Sequence, residues 1–361
     1  MDNKRTWAQV NLDALAHNYH TIRAHVPAGT KVMGVVKADG YGHGAVAVSA
    51  RLEAEGCEAL AVSTMEEALA LRAADITLPI LIMGYVHPAN VNTLIANNLA
   101  LTVYSVAQAE ALQENISDGK LTVHIEVDSG MSRLGFAWDN CEDVLQVCDM
   151  DKLDCVGLYT HLSSGDDTAF TAVQIERFTE LYDKLKAQGK QFLFIHCANS
   201  LGVIYCRHAE AIFNMVRPGL ALYGQNPSVL PLSLPLKPVM SLHSVAAQVK
   251  TIKAGEGISY DRSYIAPTDR RIAIVPVGYA DGYPRALSNK AFAMIRGERV
   301  PIVGKVCMDM TMFDVTDVDG VCVGDGVELF GSGILIDELA EIAGTISYDI
   351  VCGIGKRVPR V

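Results

Sequence analysis

Along the first 225 residues, short runs of apolar and β-branched residues alternate with stretches whose apolar positions recur at helical spacing. The runs are KVMGVVK (31–37), ALAVS (59–63), ILIMG (80–84), LTVYS (101–105), LTVHIEV (121–127), DCVGLYT (154–160), FLFIH (192–196) and ALYG (221–224), the last preceded by FNMVR. Between them, TMEEALALRAA and SVAQAEALQEN each open on Thr or Ser with an acid nearby, which is N-cap chemistry ahead of strong helix formers. Before the first run, NLDALAHNYHTIRAH sets Leu12, Leu15, Tyr19 and Ile22 on one helical face. Eight strand–helix alternations predict an α/β fold with an N-terminal (β/α)8 TIM-type barrel. An open doubly wound sheet is the rival, and its dinucleotide-binding form loses support because no GxGxxG follows a strand.

After the Pro-rich connector NPSVLPLSLPLKP (226–238) the rhythm changes. SLHSVAAQVKTIKAG, RIAIVPVG, AFAMIRG, RVPIVGKV, TMFDV and DGVELFG are strand-like pieces split by Gly and Asp turns, with one helix near 336–343. The pattern predicts a barrel over residues 11–235 and a C-terminal mostly-β domain over 236–361, which residues 1–10 join.

Half of the 361 residues are hydrophobic, enough to bury a large core. The net charge of −11 argues against a nucleic-acid surface and for small molecules or copies of the chain itself as partners. The N-terminus carries no apolar core of signal-peptide length, and no run approaches the roughly 20 apolar residues of a membrane span. A cytoplasmic protein with no membrane association is the expectation. Nine cysteines (57, 141, 148, 155, 197, 206, 307, 322, 352) show no CxxC pair and fit reduced thiols better than a disulfide framework or a zinc site.

Lys37 closes the first run, at the rim where barrel active sites form. Desolvation among Val and Gly lowers a lysine's pKa and makes its amine a nucleophile for a carbonyl. A lysine that snorkels from a strand end is the alternative. The turn that follows, with Gly40, Gly42 and Gly44 beside Tyr41 and His43, suits close backbone approach to a ligand.

VVKADGYGHG resembles the pyridoxal-phosphate lysine motif of the alanine racemases, fold-type III enzymes with an N-terminal barrel and a C-terminal β domain. The likeness covers essentially the whole chain: DSGMSRLG, YTHL, HCANS, NMVRPG, ISY, GYADGY, VCMD and RVPR follow in the family's order. It implies pyridoxal 5'-phosphate as cofactor, held by Lys37 through an internal Schiff base. Tyr41, Ser200, the amides of Gly219 and Leu220, and Tyr348 would bind its phosphate. Arg217 would face the pyridine nitrogen and, being unable to give up its proton near neutral pH, would leave the ring a poorer electron sink. His196 would hydrogen-bond Arg217.

The resemblance further implies a homodimer with shared active sites, in which Lys37 acts on the D-isomer and Tyr260 of the partner subunit on the L-isomer. A phenol has a pKa near ~10, so such a base needs stabilising neighbours. His161, counted with the cofactor-binding residues, is the expected one. Arg133 and the Met308 amide would bind the amino-acid carboxylate. No metal is expected: His17 and His20 of HNYH have no acid or third ligand evident near them.

Three departures stand out. Seven residues before Arg133, where many family members carry a carbamylated lysine, this chain has Glu126, expected to orient Arg133 directly. DRSY follows Tyr260 where a glycine is usual, making Tyr264 a weaker candidate base. LSSGDD, with Ser163 and Ser164, replaces the commoner alanine-rich acidic stretch after His161. Tyr260, Tyr279, Tyr348 and Met308 imply a pocket with room for a methyl, so alanine is expected over serine. A serine-using racemase, or a non-catalytic pyridoxal-phosphate carrier, are the alternatives.

Overall fold

The computed structural model describes residues 4–206, 212–225 and 234–361. The chain divides into two compact units: Asp13–Gly40 with Gly44–Lys237, and Met1–Leu12 with Tyr41–His43 and Pro238–Val361. Most of the predicted connector, residues 226–233, lies outside the described residues.

In the first unit the helix Leu12–His25 buries Leu15, Tyr19 and Ile22, with Leu12 half-buried. Eight parallel strands follow: Lys31–Val35, Ala59–Val62, Ile80–Ile82, Leu99–Val103, Leu121–Asp128, Leu153–Thr160, Phe194–His196 and Met215–Val216. Each pairs with the next, and the eighth pairs back onto the first (Met215↔Lys31), closing the barrel. Helices cover the outside, so strands such as Ala59–Val62 and Ile80–Ile82 are buried at every position. The helix Met65–Ala73 starts at a capping box between Thr64 and Glu67, as the sequence predicts.

The eighth strand is not ALYG but Met215–Val216, inside the preceding FNMVR. Residues 221–224 instead form consecutive turns, Leu222 N donating to Gly219 O and Tyr223 N to Leu220 O. The Ser200 hydroxyl captures the Gly219 and Ala221 amides that a strand would have used in a ladder.

The second unit holds a five-stranded sheet in the order Thr6–Val10, Met240–Val245, Gly326–Phe330, Phe292–Ile295, Glu298–Pro301. A three-stranded sheet (Gln248–Ile252, Arg270–Val275, Thr311–Asp314) and a short hairpin (Gly257–Ile258, Tyr264–Ile265) complete it. The helix expected near 336–343 is Ile336–Ala343. Ser347–Gly353 is a second helix that the sequence hides, because seven residues with two β-branched positions and a terminal Gly carry little helical signal.

Candidate active site

Parallel strands deliver the residues after each strand to one rim, and seven of the expected site residues sit there: Lys37, Arg133, His161, Ser200, Arg217, Gly219 and Leu220. Lys37 lies two residues past its strand rather than closing it. Immediately after it the chain turns left-handed, with φ of 52° at Ala38, 54° at Asp39, 62° at Gly40 and 52° at Tyr41. Such a run costs about 1–2 kcal/mol per non-Gly residue, so something must hold it. Glu67 does, one carboxylate oxygen accepting from Ala38 N at 2.6 Å and the other from Ser63 N at 2.8 Å. Asp39 accepts from Ala45 N at the start of the next helix.

Below the rim, in-register positions on strands four to seven place a polar network in the barrel interior. Thr102 is paired with His124, Glu126 with Tyr159, and Tyr159 with His196. The Tyr159 hydroxyl donates to Glu126 Oε2 at 2.9 Å and lies 3.0 Å from Thr102 Oγ1. Its ring stacks on His196 (4.7 Å, 7°) and lies 4.7 Å beneath the Arg217 guanidinium. Arg217, only 2% exposed, donates Nη1 to His196 Nδ1 and Nη2 to Thr160 O at 2.9 Å, with His161 Nδ1 at 3.4 Å.

Burial first, then the charge of Arg217, pushes His124 and His161 down to about 3, and His196 well below its ordinary value for the same reasons. All three rings are neutral at physiological pH. Burial raises the Glu126 carboxyl; the Tyr159 hydrogen bond and the charges of Arg217 and Arg133 oppose that shift. Glu126 is 4% exposed, and its hydrogen bond goes to Tyr159, not to Arg133 as expected. The reason is register: Tyr159 is directly across the ladder, whereas Arg133 is exposed in the loop beyond. That loop is shaped by Asp128, which accepts from Gly130 N and Ser132 N at 2.9 Å each. We expect Glu126→Gln, which keeps an acceptor for Tyr159 and removes the charge, to lower kcat/KM about tenfold, the size of one charged hydrogen bond. Steady-state kinetics check this, and a change under about twofold contradicts it.

His161 is held by its surroundings: Gln174 Nε2 donates to its carbonyl at 3.1 Å, and Asn199 Nδ2 lies 3.5 Å from its Nε2. Gln174 Oε1 also accepts from Ser163 N, so the LSSGDD departure is anchored. Gly165 in that loop faces Leu201 and Gly202, where a Cβ would come within 2.6 Å of Leu201 Cβ.

The second unit carries the remaining residues. Tyr260 is 65% exposed and lines an open groove of about 700 Å³ with Lys250, Cys307, Met308, Asp309 and Met310. It starts a short turn in which Asp261 and Arg262 have positive φ (58° and 49°), the conformation a glycine adopts at no steric cost. Here Asp261 adopts it while paired with Lys305, which accounts for a non-glycine at this departure. Tyr264 packs against a small apolar cluster of Ile258, Ile272 and Val303. Tyr348 packs against the main apolar core of this unit, and Tyr41 lies near it, its phenol pushed up by burial and then by Cys352 and Tyr348.

Tyr279 and Met308 are joined through backbone: Tyr279 N donates to Cys307 O and Ala280 N to Met308 O, both at 3.0 Å. The buried Asp281 anchors that loop, accepting from Gly278 N, Arg5 and Arg357. Burial raises the Asp281 carboxyl, but bonds from Arg357, Arg5 and the Gly278 amide hold it below 3.8 overall. A depressed carboxyl stabilises the fold above its unfolded pKa and loses that contribution as pH falls through the folded value. Asp281→Asn should therefore cost about 2 kcal/mol at neutral pH, the scale of charged hydrogen bonds. Urea titrations should show the gap to the parent protein narrowing on acidification; a gap that stays constant contradicts the assignment.

A phosphorylated cofactor fits the barrel rim on two observations. Lys37, Arg133 and Arg217 all bear electrostatically on His161, giving a rim rich in cations. Ser200 Oγ already accepts from the Gly219 and Ala221 amides at 2.9 and 3.1 Å, so its own proton points to an acceptor that the described residues do not provide. Both features call for an anion.

Residues 10–227 match the family model for the alanine racemase N-terminal domain and residues 239–361 that for its C-terminal domain. The chain belongs to the alanine racemase family. An alanine racemase of Desulfovibrio desulfuricans is 41% identical over 366 residues, covering 99% of this chain and 98% of that one. The crystal structure of alanine racemase from Bacillus anthracis with bound L-Ala-P superposes with a TM-score of 0.94 at 36% identity, over 100% of this chain and 95% of that one. The Bartonella henselae alanine racemase with covalently bound pyridoxal phosphate gives 0.88 at 30% identity, over 99% of each chain. The C-terminal match weighs against a pyridoxal-phosphate carrier.

The family motifs assign no role to Tyr159, His124, Thr102, Glu67 or Asp281. A signal existed for the first two: His124 and Glu126 are spaced by two on one strand and so share a face, and Tyr159 stands two residues before His161, which follows directly on its strand.

Proposed function

We propose that this chain is a pyridoxal 5'-phosphate-dependent racemase interconverting L- and D-alanine, working in the cytoplasm as a homodimer with shared active sites. Supply of D-alanine as a peptidoglycan precursor is the corresponding role. The observation that carries the reading is Arg217, a buried, permanently charged guanidinium whose ring neighbours are all neutral. When bound, pyridoxal phosphate supplies an electron-accepting ring that acidifies the α-C–H bond.

Lys37 Nζ anchors that group and holds a proton on one face of the α-carbon, while Tyr260 of the partner subunit serves the other. Arg217 would face the ring nitrogen and, having no proton to give up near neutral pH, would leave it unprotonated and so limit side reactions. The Ser200 hydroxyl, the Leu220 amide, Tyr41 and Tyr348 would take the phosphate, while the Gly219 amide, which donates to Ser200 Oγ, holds that hydroxyl in place. Arg133 and the Met308 amide orient the substrate carboxylate, with Glu126, His161, His196 and Tyr279 as supporting residues. No helix among the described residues is long and apolar enough to cross a membrane.

The test is racemisation of L-alanine and L-serine by the purified protein, with and without added pyridoxal phosphate. Faster turnover of alanine, dependent on the cofactor, is expected. Serine outpacing alanine would change the substrate, and no racemisation of either would overturn the reading.

A further inference from the structure

We propose that His124, inside the fifth barrel strand, is a positioning residue: by accepting a hydrogen bond from His196 it fixes the tautomer in which His196 accepts from Arg217. The inference rests on Arg217 facing the cofactor ring. It follows from donor bookkeeping. A guanidinium has donors only, so the Arg217 Nη1 bond requires a bare Nδ1 on His196. A neutral ring then carries its proton on Nε2, which lies 2.9 Å from His124 Nδ1. His124 Nδ1 must accept, and its own proton is on Nε2. Reversing any member of this chain sets two donors against each other.

The surroundings hold each ring in the required pose. His196 is stacked on Tyr159, so a ring flip would remove both nitrogens from their partners. His124 stacks on Phe194 (5.6 Å, 10°). Across the ladder from His124 stands Gly157, where a Cβ would fall 2.1 Å from His124 Nδ1. Any other residue at 157 would displace the acceptor. The groups facing His196 are Arg217 from the loop after strand eight, His124 from strand five and Tyr159 from strand six, with Glu126 beyond Tyr159. Burial and the charge of Arg217 keep both histidines neutral. Without His124, the buried Nε2–H of His196 has no acceptor; the ring satisfies itself by the other tautomer, and Arg217 is pushed away by a donor.

Imidazole 15N spectra of the labelled holoenzyme test this directly, with His196 assigned by its absence in His196→Asn. His196 and His124 should each show bare Nδ1 and protonated Nε2, unchanged between about pH 6 and about pH 8. A protonated Nδ1 on His196, or titration of either ring in that range, overturns the proposal. As a second arm, His124→Phe keeps the stack on Phe194 and removes the acceptor. It should weaken retention of pyridoxal phosphate about tenfold, measured by equilibrium dialysis, and His124→Gln should recover most of the loss. Unaltered retention and unaltered His196 resonances in His124→Phe would also overturn it. If that variant does not fold, the parent spectra decide alone. Failure of the racemase reading has a different signature, absence of cofactor from Lys37.

Discussion

Arg217→Met is expected to destabilise the barrel by about 3–5 kcal/mol, the scale of removing one charged member of a buried network and leaving its partners unsatisfied. The guanidinium has buried partners on three sides, His196 Nδ1, Thr160 O and the face of Tyr159. A methionine satisfies none of them and leaves Glu126 with a buried charge relieved by the Tyr159 hydroxyl and the more distant charge of Arg133. The pH dependence tests the electrostatic part. The Glu126 carboxyl is already raised in the folded state, and a raised carboxyl costs stability as pH rises through its folded pKa. Losing Arg217 raises it further, so the variant's deficit should be larger at pH about 7 than at pH about 5. Paired urea titrations measure both. Equal deficits at the two values would mean that Glu126 and Arg217 are not coupled.

Tyr260→Phe should leave stability within about 0.5 kcal/mol, because the side chain is 65% exposed in its own chain. Its effect on racemisation should be large and one-sided. Removal of a positioned general base costs about 10²–10⁴ in rate, and under the two-base reading this falls on L-alanine. D-alanine, served by Lys37, should still exchange its α-proton with deuterated water while failing to racemise. Proton NMR of each isomer separates the two. Equal losses of exchange from both isomers would reject the division of labour between Lys37 and Tyr260.

The fold was legible where hydrophobic periodicity has a physical cause. Seven of the eight barrel strands coincide with the apolar runs, because strands buried on both faces are mostly apolar, even where, as in strand five, buried His124 and Glu126 interrupt the run. The eighth did not, because ALYG is as apolar as a strand while its first amide, with that of Gly219, goes to Ser200, a contact across about 20 residues that no local pattern encodes, and the rest close turns. The rim residues were legible through motif order. What Glu126 bonds to was not: the sequence shows its distance from Arg133 along the chain, but its partner is fixed by the register of strands five and six. Glu67 was visible as a helix cap and not as the clamp on the turn after Lys37, since one carboxylate performs both tasks, accepting from Thr64 N and from Ala38 N.

In the proposed function everything depends on the Lys37 amine as the covalent anchor of the cofactor. Borohydride reduction of the purified protein, followed by peptide mapping, tests it most directly. A single reduced pyridoxyl adduct on the peptide containing Lys37 is expected, and none after Lys37→Ala. An adduct on another lysine, or a protein that racemises alanine with Lys37 unlabelled, would contradict it.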